Sequence, residues 1–443
     1  ESRIGQLEFD NPSHATEVLT RMDSRGQKEL LIRTLQSDEP HSIRLAAISR
    51  LLLFCDFEEV VMHALKREDW LPGSNADAAA VEQARLQVLK AVLNVARNRI
   101  RTASSDVAVP LKKIYRQGSP KAQALVLRIG GTWRVSGLES LAAAALDNRE
   151  AGWEVRRAAM WLLARMGMQK ERLVSMANTV NNPTRERMAA LEALAELDLV
   201  VATAGAADLL ADPRLDPVQT QSLLKVILGK KQGPTALAEQ LRDADLDPQH
   251  CRHLLSNLFA LGRTDPVVVQ ALNEKAGLAA GPQKFNRQRV EKLARSSLQK
   301  GDPKRGKQLF ETLACPSCHQ TAGRGGSVGP DLTSLGTTLS TDRIIEELLW
   351  PNRQIKEGYS VVQVATLDGL IFVGYRRRTR ESEKTGDVVL QELDSRKMIT
   401  IPKEDIETQK EVGSPMPEGL TRYLTSDQLD DLVRYLTGLG KLN

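Results

Sequence analysis

The sequence predicts a mainly α-helical protein, in which an array of stacked helices precedes a smaller domain that also contains an antiparallel β meander. Three observations lead to this fold class. Only 4% of the 443 residues are aromatic, whereas Ala and Leu are abundant, which favours stacked helices over a β-sandwich. Apolar residues recur at helical spacing from about residue 10 to residue 300. Apolar and polar residues alternate, as they do in strands, over 358–408.

Residues 1–300 are predicted to form a helical repeat domain. Successive apolar helices carry a polar or basic residue near their start, as in Ile43–Ala47 and Val155–Ala159, at intervals typical of helix-pair solenoids. The pattern resembles HEAT repeats, most clearly over 41–56 and 152–197, and an unrelated all-helical bundle is the alternative. Because a helix pair cannot bury its apolar face alone, we expect the pairs to stack and to act as a scaffold or docking surface.

Several of these helices follow a polar residue and a proline, which supply an N-cap oxygen and a residue suited to the first helical turn. The pairs are Ser119-Pro120, Asn182-Pro183, Asp216-Pro217 and Asp247-Pro248. A similar signal marks a domain boundary. Gly301 is expected to end one helix, Asp302 to cap the next one, and Pro303 to occupy its first position. The second predicted domain spans 301–443.

Composition limits the classes of function. A formal net charge of +5 is too dilute over 443 residues to imply nucleic-acid binding. The sequence has no apolar run of the length that a membrane span requires. It opens on polar residues without Met, so we expect a mature or excised fragment of a longer polypeptide. Cys55 and Cys251 lie on or beside apolar helices and are expected to be buried thiols rather than a disulfide.

The five residues Cys315-Pro316-Ser317-Cys318-His319 form the C-x-x-C-H attachment signature of c-type haem. The thiols of Cys315 and Cys318 are placed to form thioether bonds to the two vinyl groups of one haem, and the His319 imidazole to ligate the iron. A redox dithiol and part of a zinc site are the alternatives. Zinc needs two further ligands, and no other Cys or His lies between residues 254 and 443.

The segments on either side of this motif resemble the first and last helices of class I cytochromes c. The first helix, from about 303 to 314, carries Gly306 and Phe310 four residues apart. The last helix begins at Ser426 and carries Tyr435 beside an apolar stripe. These helices cross tightly in that family, so the resemblance implies that Gly306 lets the aromatic ring of Tyr435 approach.

Two loops are candidates for completing the haem site. Gly329–Leu332 resembles the G-P-x-L segment of the same family, which implies that the Pro330 carbonyl accepts a hydrogen bond from Nδ1–H of His319. That bond would orient the ring and leave Nε2 for the iron. Met416 is the predicted second axial ligand, because prolines on both sides stiffen its loop and a thioether favours Fe(II). Met398 is the rival, but it lies in a predicted strand.

The separation between His319 and Met416 exceeds what a minimal cytochrome c of this class needs, and a β insertion over about 358–408 explains the excess. Its strands are predicted to form an antiparallel meander with a turn at Asp368-Gly369. The basic cluster Arg376–Arg380 is interpreted as a solvated hairpin edge, and docking of an acidic redox partner is the alternative.

Cytochrome and insertion together resemble the haem-binding domain typical of Planctomycetes and Verrucomicrobia, over about 300–443. The matching segments, in the family's order, are Cys315–His319, Val328–Leu332, Trp350-Pro351, Tyr359 to Asp368-Gly369, and Met416-Pro417. Trp350 stands where the family more often has an acidic residue. Members often carry helical repeats before this domain and a dehydrogenase-like propeller before those, and we expect no propeller in this chain.

The resemblance implies one-electron transfer by one covalent haem c, with its iron held by His319 and Met416. The chain is thus expected to be an electron-transfer module more than a catalyst. The expected location is the periplasm, or elsewhere outside the cytoplasm, and the expected partner is a redox protein or a dehydrogenase domain of the same parent polypeptide. A haem sensor or haem enzyme with a displaceable Met ligand, and a scaffold with a structural haem, are the alternatives. The oligomeric state stays open.

Overall fold

The computed structural model describes residues 41–54, 58–66, 77–98, 105–277, 284–313, 315–326, 328–393, 395–422 and 424–441. The chain divides into two compact units, of which the first ends at Asp198 and the second begins at Leu199. The second unit contains both the last helices of the predicted repeat array and the whole predicted haem domain. The division at residue 301 therefore stays a prediction.

The described part of the first unit is helical. Its α-helices are α1 (His41–Phe54), α2 (Glu58–Lys66), α3 (Ala78–Asn98), α4 (Ala108–Gln117), α5 (Pro120–Trp133), α6 (Glu139–Asp147), α7 (Trp153–Arg165), α8 (Lys170–Asn178) and α9 (Thr184–Leu197). Helix α7 packs against both α5 and α9. Glu192 of α9 lies 3.2 Å from Arg128 of α5 and 2.8 Å from Arg157 of α7, so ion pairs also link the three helices.

The second unit begins with six further helices, which are α10 (Leu199–Leu210), α11 (Pro217–Leu228), α12 (Gly233–Asp243), α13 (Pro248–Ala260), α14 (Pro266–Lys275) and α15 (Arg287–Lys300). Alternate helices pack together here too, α10 with α12 and α12 with α14. Cys251 is fully buried on α13, as predicted. Cys55 lies outside the described residues.

Most of the predicted helix starts are confirmed. The side chains of Ser119, Asp216 and Asp247 each accept a hydrogen bond from a backbone N–H in the first turn of α5, α11 and α13. The prediction for Asn182 is wrong. Helix α9 begins after Pro183, and the Asn182 amide instead donates to the Met176 carbonyl, 3.0 Å away.

The boundary signal near residue 300 is confirmed as local structure. Gly301 ends α15, and the Asp302 carboxylate accepts from two backbone N–H groups at the start of the next helix. The helices that follow are α16 (Pro303–Thr312), α17 (Cys315–Cys318), α18 (Leu335–Thr338), α19 (Thr341–Leu349), α20 (Arg380–Thr385) and α21 (Ser426–Gly438). Between α17 and α18 lies a two-stranded hairpin of β1 (Gln320–Thr321) and β2 (Arg324–Gly325).

Helices α16 and α21 cross at van der Waals contact, and their crossing point is Gly306. A Cβ at Gly306 would lie 2.7 Å from Cβ of Tyr435 and closer still to the Asp431 carbonyl oxygen. The rings of Phe310 and Tyr435 meet beside it, with centroids 5.4 Å apart. The sequence-based expectation for these residues thus holds. Trp350 lies in the same apolar core, edge-on to Phe285 at 5.1 Å.

The insertion forms a five-stranded antiparallel sheet of β3 (Val361–Thr366), β4 (Ile371–Arg377), β5 (Val388–Glu392), β6 (Met398–Ile401) and β7 (Ile406–Gly413), in the order β6-β5-β4-β3-β7. The predicted turn at Asp368-Gly369 is confirmed, and Gly369 takes a φ of +81° there. The sequence does not predict β7, because this edge strand is mostly exposed and lacks alternating apolar residues.

Backbone hydrogen bonds join the sheet to the helices that precede it in the second unit. The N–H of Lys231 donates to the Gly369 carbonyl and the N–H of Ile371 donates to the Gly229 carbonyl, each at 2.8 Å. The ammonium of Lys231 also lies 2.5 Å from the Glu407 carboxylate on β7. The loop between α11 and α12 is therefore hydrogen-bonded to the turn that joins β3 and β4.

Asp431 links α21 to the start of α16. Its carboxylate accepts from Nε and Nη2 of Arg305 at 2.6 and 2.9 Å, and from the Asp302 N–H at 2.6 Å. Hydrogen bonding to Arg305 is the main cause that lowers the pKa of Asp431. Because the pKa of Asp431 is lower in the folded protein than in the unfolded chain, its ionised carboxylate stabilises the fold at pH values above the unfolded pKa of about 3.9. This stabilisation is lost as pH falls through the lower pKa of the folded protein.

We expect Asp431→Asn to lower the free energy of unfolding at pH 7 by no more than about 1 kcal/mol, because solvent screens the largely exposed Arg305 guanidinium. The difference from the unmodified protein should begin to shrink as pH falls below about 4, where the carboxyl group of the unfolded chain takes up a proton. It should be smallest at still lower pH, once the native carboxylate, whose pKa is lowered, is protonated as well. Urea unfolding followed by circular dichroism between pH 7 and 2 measures this. A difference in stability that stays constant with pH would contradict this expectation. At pH 7, 1 M salt should reduce the difference, because it screens the ion pair.

Candidate functional site

The C-x-x-C-H residues form one helical turn, α17, followed directly by the hairpin of β1 and β2. The N–H of His319 donates to the Cys315 carbonyl at 3.0 Å, so the three functional side chains leave the same turn. Both cysteines are free and half-buried. Cys315 packs against the helical core that contains Phe310, whereas Cys318 packs against an apolar cluster between loop and sheet that contains Tyr375.

Burial determines the protonation of the two thiols. It raises the pKa of Cys315 to about 12 and also raises that of Cys318. Both are therefore neutral at physiological pH. A reactive dithiol instead needs a lowered thiol pKa, so this environment argues against the redox-dithiol alternative. In the described ranges, no group of three or more His, Cys, Asp or Glu side chains is arranged to hold a metal ion.

The imidazole ring of His319 is oriented by a hydrogen bond to the Pro330 carbonyl. Its Nδ1 lies 2.8 Å from the Pro330 carbonyl oxygen, and because a carbonyl only accepts, Nδ1 carries the proton. Burial is the main cause that lowers the pKa of His319, against the smaller opposing effect of the Pro330 hydrogen bond. The ring is thus neutral, with the lone pair on Nε2, which is the form that ligates a metal.

The loop before Pro330 touches the imidazole directly. A Cβ at Gly329 would lie 2.5 Å from Cε1 and 2.7 Å from Nδ1 of His319. The N–H of Gly329 donates to the Cys318 carbonyl, and the N–H of Leu332 to the Gln320 carbonyl, each at 2.8 Å. The loop and the motif are therefore joined by backbone bonds as well as by the histidine.

The glycines after the motif have a role that the sequence does not reveal. The sequence suggests only a flexible loop or a wrap around an exposed haem edge. In the structure a Cβ at Gly325 would collide with the His319 carbonyl, and one at Gly326 with the Ser317 carbonyl. Gly325 also has a φ of +112°. The hairpin can fold back onto the motif only because these positions lack side chains.

Met416 lies in the loop between β7 and α21, half-buried against the same helical core as Cys315. Asn352 holds this loop, because its Oδ1 accepts from the Ser414 N–H at 2.8 Å and its Nδ2 donates to the Glu418 carboxylate at 3.0 Å. The rival, Met398, is 53% exposed on the edge strand β6. The structure thus brings Met416, and not Met398, to the apolar core that Cys315 contacts.

Sequence reasoning misses one buried residue of this site. The hydroxyl of Tyr375, on β4, donates to the Val328 carbonyl at 2.7 Å, and the Tyr359 ring packs edge-on against it at 5.7 Å. Burial raises the pKa of Tyr375, so the hydroxyl keeps its proton. In the sequence, the indication for this residue is a tyrosine in a predicted strand, at a position that faces inward. Arg377 covers the same ring and binds Gln391.

These residues fit a covalently attached haem. Two neutral thiols leave one turn, a neutral imidazole presents its Nε2 lone pair, and a thioether lies against the core that the first thiol contacts. Apolar surroundings of this kind exclude water from a macrocycle and its metal.

A family model matches part of the chain. It is described as Cytochrome c, and it matches residues 303–364, which run from α16 through the motif and Gly329–Leu332 into β3. No curated protein matches the sequence. A c-type cytochrome domain therefore lies in this part of the chain, and such a domain implies covalently bound haem c with its iron. None of the described helices combines the length and the apolar character that crossing a bilayer requires.

Proposed function

We propose that the chain is an electron-transfer c-type cytochrome in which Cys315 and Cys318 carry the haem while His319 and Met416 ligate its iron. The hydrogen bond from His319 to Pro330 carries this proposal, because it leaves the Nε2 lone pair of a neutral ring available to the iron. The position of Met416, on the same core as Cys315, supports the second ligand.

When bound, the haem supplies a one-electron couple between ferrous and ferric iron, and two protein ligands leave no open position for substrate. The residues of the chain keep that site rigid. Pro330 fixes the rotation and tautomer of His319, Gly329 lets the loop lie against the ring, and Asn352 restrains the Met416 loop. Small rearrangement between oxidation states favours fast exchange with a partner.

Domains of the cytochrome c type are typically extracytoplasmic, so we place the chain in the periplasm or elsewhere outside the cytoplasm. Residues 301–443 form the haem domain of the Planctomycetes and Verrucomicrobia type, and 1–300 form HEAT-like repeats that act as a scaffold or docking surface. Alternating contacts between helices α3, α5, α7 and α9 support stacked pairs. The electron donor is a redox protein or a dehydrogenase domain of a larger polypeptide.

Spectroelectrochemistry on the holoprotein tests the ligand assignment. We expect Met416→Ala to lower the midpoint potential by on the order of 0.1 V, because loss of the thioether removes a ligand that favours Fe(II), and axial ligands set haem potentials over about 0.8 V. The optical spectrum should change at the same time.

Met398→Ala is the matched control, since it removes an exposed thioether of the same chain and should alter neither quantity. An unchanged spectrum and potential in Met416→Ala would exclude Met416 as ligand. Binding of an added small ligand by the unmodified ferric protein, at low concentration, would instead favour a sensor or enzyme with a displaceable Met.

A further inference from the structure

The inserted sheet contacts the loop that orients His319. Tyr375 projects from β4 into the apolar cluster formed with Val328, Val361 and Leu393, and Cys318 packs against the same cluster. The Tyr375 hydroxyl donates a hydrogen bond to the Val328 carbonyl, and both residues are buried, since Tyr375 is 4% exposed and Val328 is 9% exposed. The bond of 2.7 Å to the Val328 carbonyl joins the sheet to the haem loop two residues before Pro330.

Three hydrogen bonds then follow each other along a short segment. Tyr375 holds the carbonyl of Val328, the next residue Gly329 donates to Cys318, and Pro330 accepts from His319. The aromatic body of Tyr375 fills the cluster, while its hydroxyl fixes the orientation of one peptide group. A hydrocarbon ring of equal size would fill the space without fixing that peptide group.

We propose that Tyr375 is a positioning residue for His319, which sets the strength of the His319–Pro330 hydrogen bond by holding the peptide group of Val328. The inserted sheet is then part of the redox site. This inference rests on the proposed function, in that His319 is taken as the iron ligand.

The sign of the effect follows from the role of the Pro330 carbonyl. A strong Nδ1–H···O bond makes the imidazole a more basic ligand. A more basic ligand stabilises ferric iron, so a weaker bond raises the midpoint potential. Loosening of the Val328 peptide group should therefore raise the potential and let Nδ1–H of His319 exchange faster with solvent.

The test uses the full-length holoprotein with Tyr375→Phe. We expect Nδ1–H of His319, followed by NMR in the diamagnetic ferrous state, to exchange about tenfold faster than in the unmodified protein. The equilibrium constant for reduction should rise about threefold, which is roughly 30 mV at 59 mV per tenfold change for one electron. Tyr359→Phe removes one hydroxyl from the neighbouring ring and should change neither quantity.

A fluorinated tyrosine at position 375 provides a second variant, which keeps the ring and donates more strongly. It should slow the exchange and lower the potential. Equal effects of Tyr375→Phe and Tyr359→Phe would overturn the inference. So would a loss of thermal stability in Tyr375→Phe with unchanged exchange and potential, because Tyr375 would then be only a packing residue. Failure of the proposed function shows separately, as an unchanged potential in Met416→Ala.

Discussion

Replacement of Gly306 by Ala is expected to lower the free energy of unfolding of the haem domain by about 3 kcal/mol, the upper part of the usual range for overpacking. The new Cβ would overlap the Asp431 carbonyl and approach Cβ of Tyr435 to 2.7 Å. The obstacle on one side is backbone, so α16 and α21 must separate along their crossing. Chemical denaturation of the holoprotein, followed by far-UV circular dichroism, measures the loss.

Gly438→Ala is the matched control. It lies at the end of α21, and apart from its chain neighbours and the backbone of its own helix, a Cβ there would meet no atom within 4 Å. The favourable change in helix propensity, at most about 1 kcal/mol, is shared by both variants, so the difference between them isolates the cost of the clash. If the two variants unfold at the same denaturant concentration, the crossing is looser than the structure shows.

A second large effect is expected from Gly329→Ala, and it concerns the iron ligand rather than the stability of the fold. The added methyl group would lie within 2.7 Å of two ring atoms of His319. The ring must then turn or shift, and the hydrogen bond to Pro330 lengthens. Loss of such a partner typically costs 10–100-fold in activity or metal affinity, so we expect self-exchange of electrons to slow by about that factor.

The measurement is NMR line broadening in mixtures of ferrous and ferric holoprotein, with the optical spectrum recorded beside it. Gly438→Ala again serves as control, because it adds the same methyl group without a contact. An exchange rate in Gly329→Ala within twofold of the control would show that the ring tolerates the methyl group and that its orientation is held elsewhere.

The parts of this fold that the sequence predicts are those governed by neighbouring residues. Asp302 and Pro303 begin a helix because a cap needs only the residues of its own first turn. The hairpin at Asp368-Gly369 is equally local, since its turn requires a glycine with positive φ. Resemblance to a known family adds the pairing of His319 with Pro330, which spacing alone does not indicate.

The parts that the sequence does not predict depend on distant segments. Tyr375 and Val328 are 47 residues apart, and nothing in either neighbourhood indicates their hydrogen bond. Strand β7 has an exposed, charged sequence and owes its conformation to pairing with β3. Asn182 fits a capping rule, but the helix begins one residue later with Pro183 at the N-cap position, and the Asn182 amide donates to a carbonyl of the preceding helix. Tertiary contacts decide each of these cases.

The attachment of the sheet at Gly229 and Lys231 has a consequence for evolution. Its two central bonds use peptide atoms, which almost every amino acid supplies equally. These two bonds therefore place no demand of their own on the side chains of Lys231 and Ile371. Proline is the exception, because it lacks the N–H. Lys231→Pro or Ile371→Pro should thus be selected against, whereas exchange of Lys231 for another polar residue should keep both backbone bonds and lose only the ion pair with Glu407.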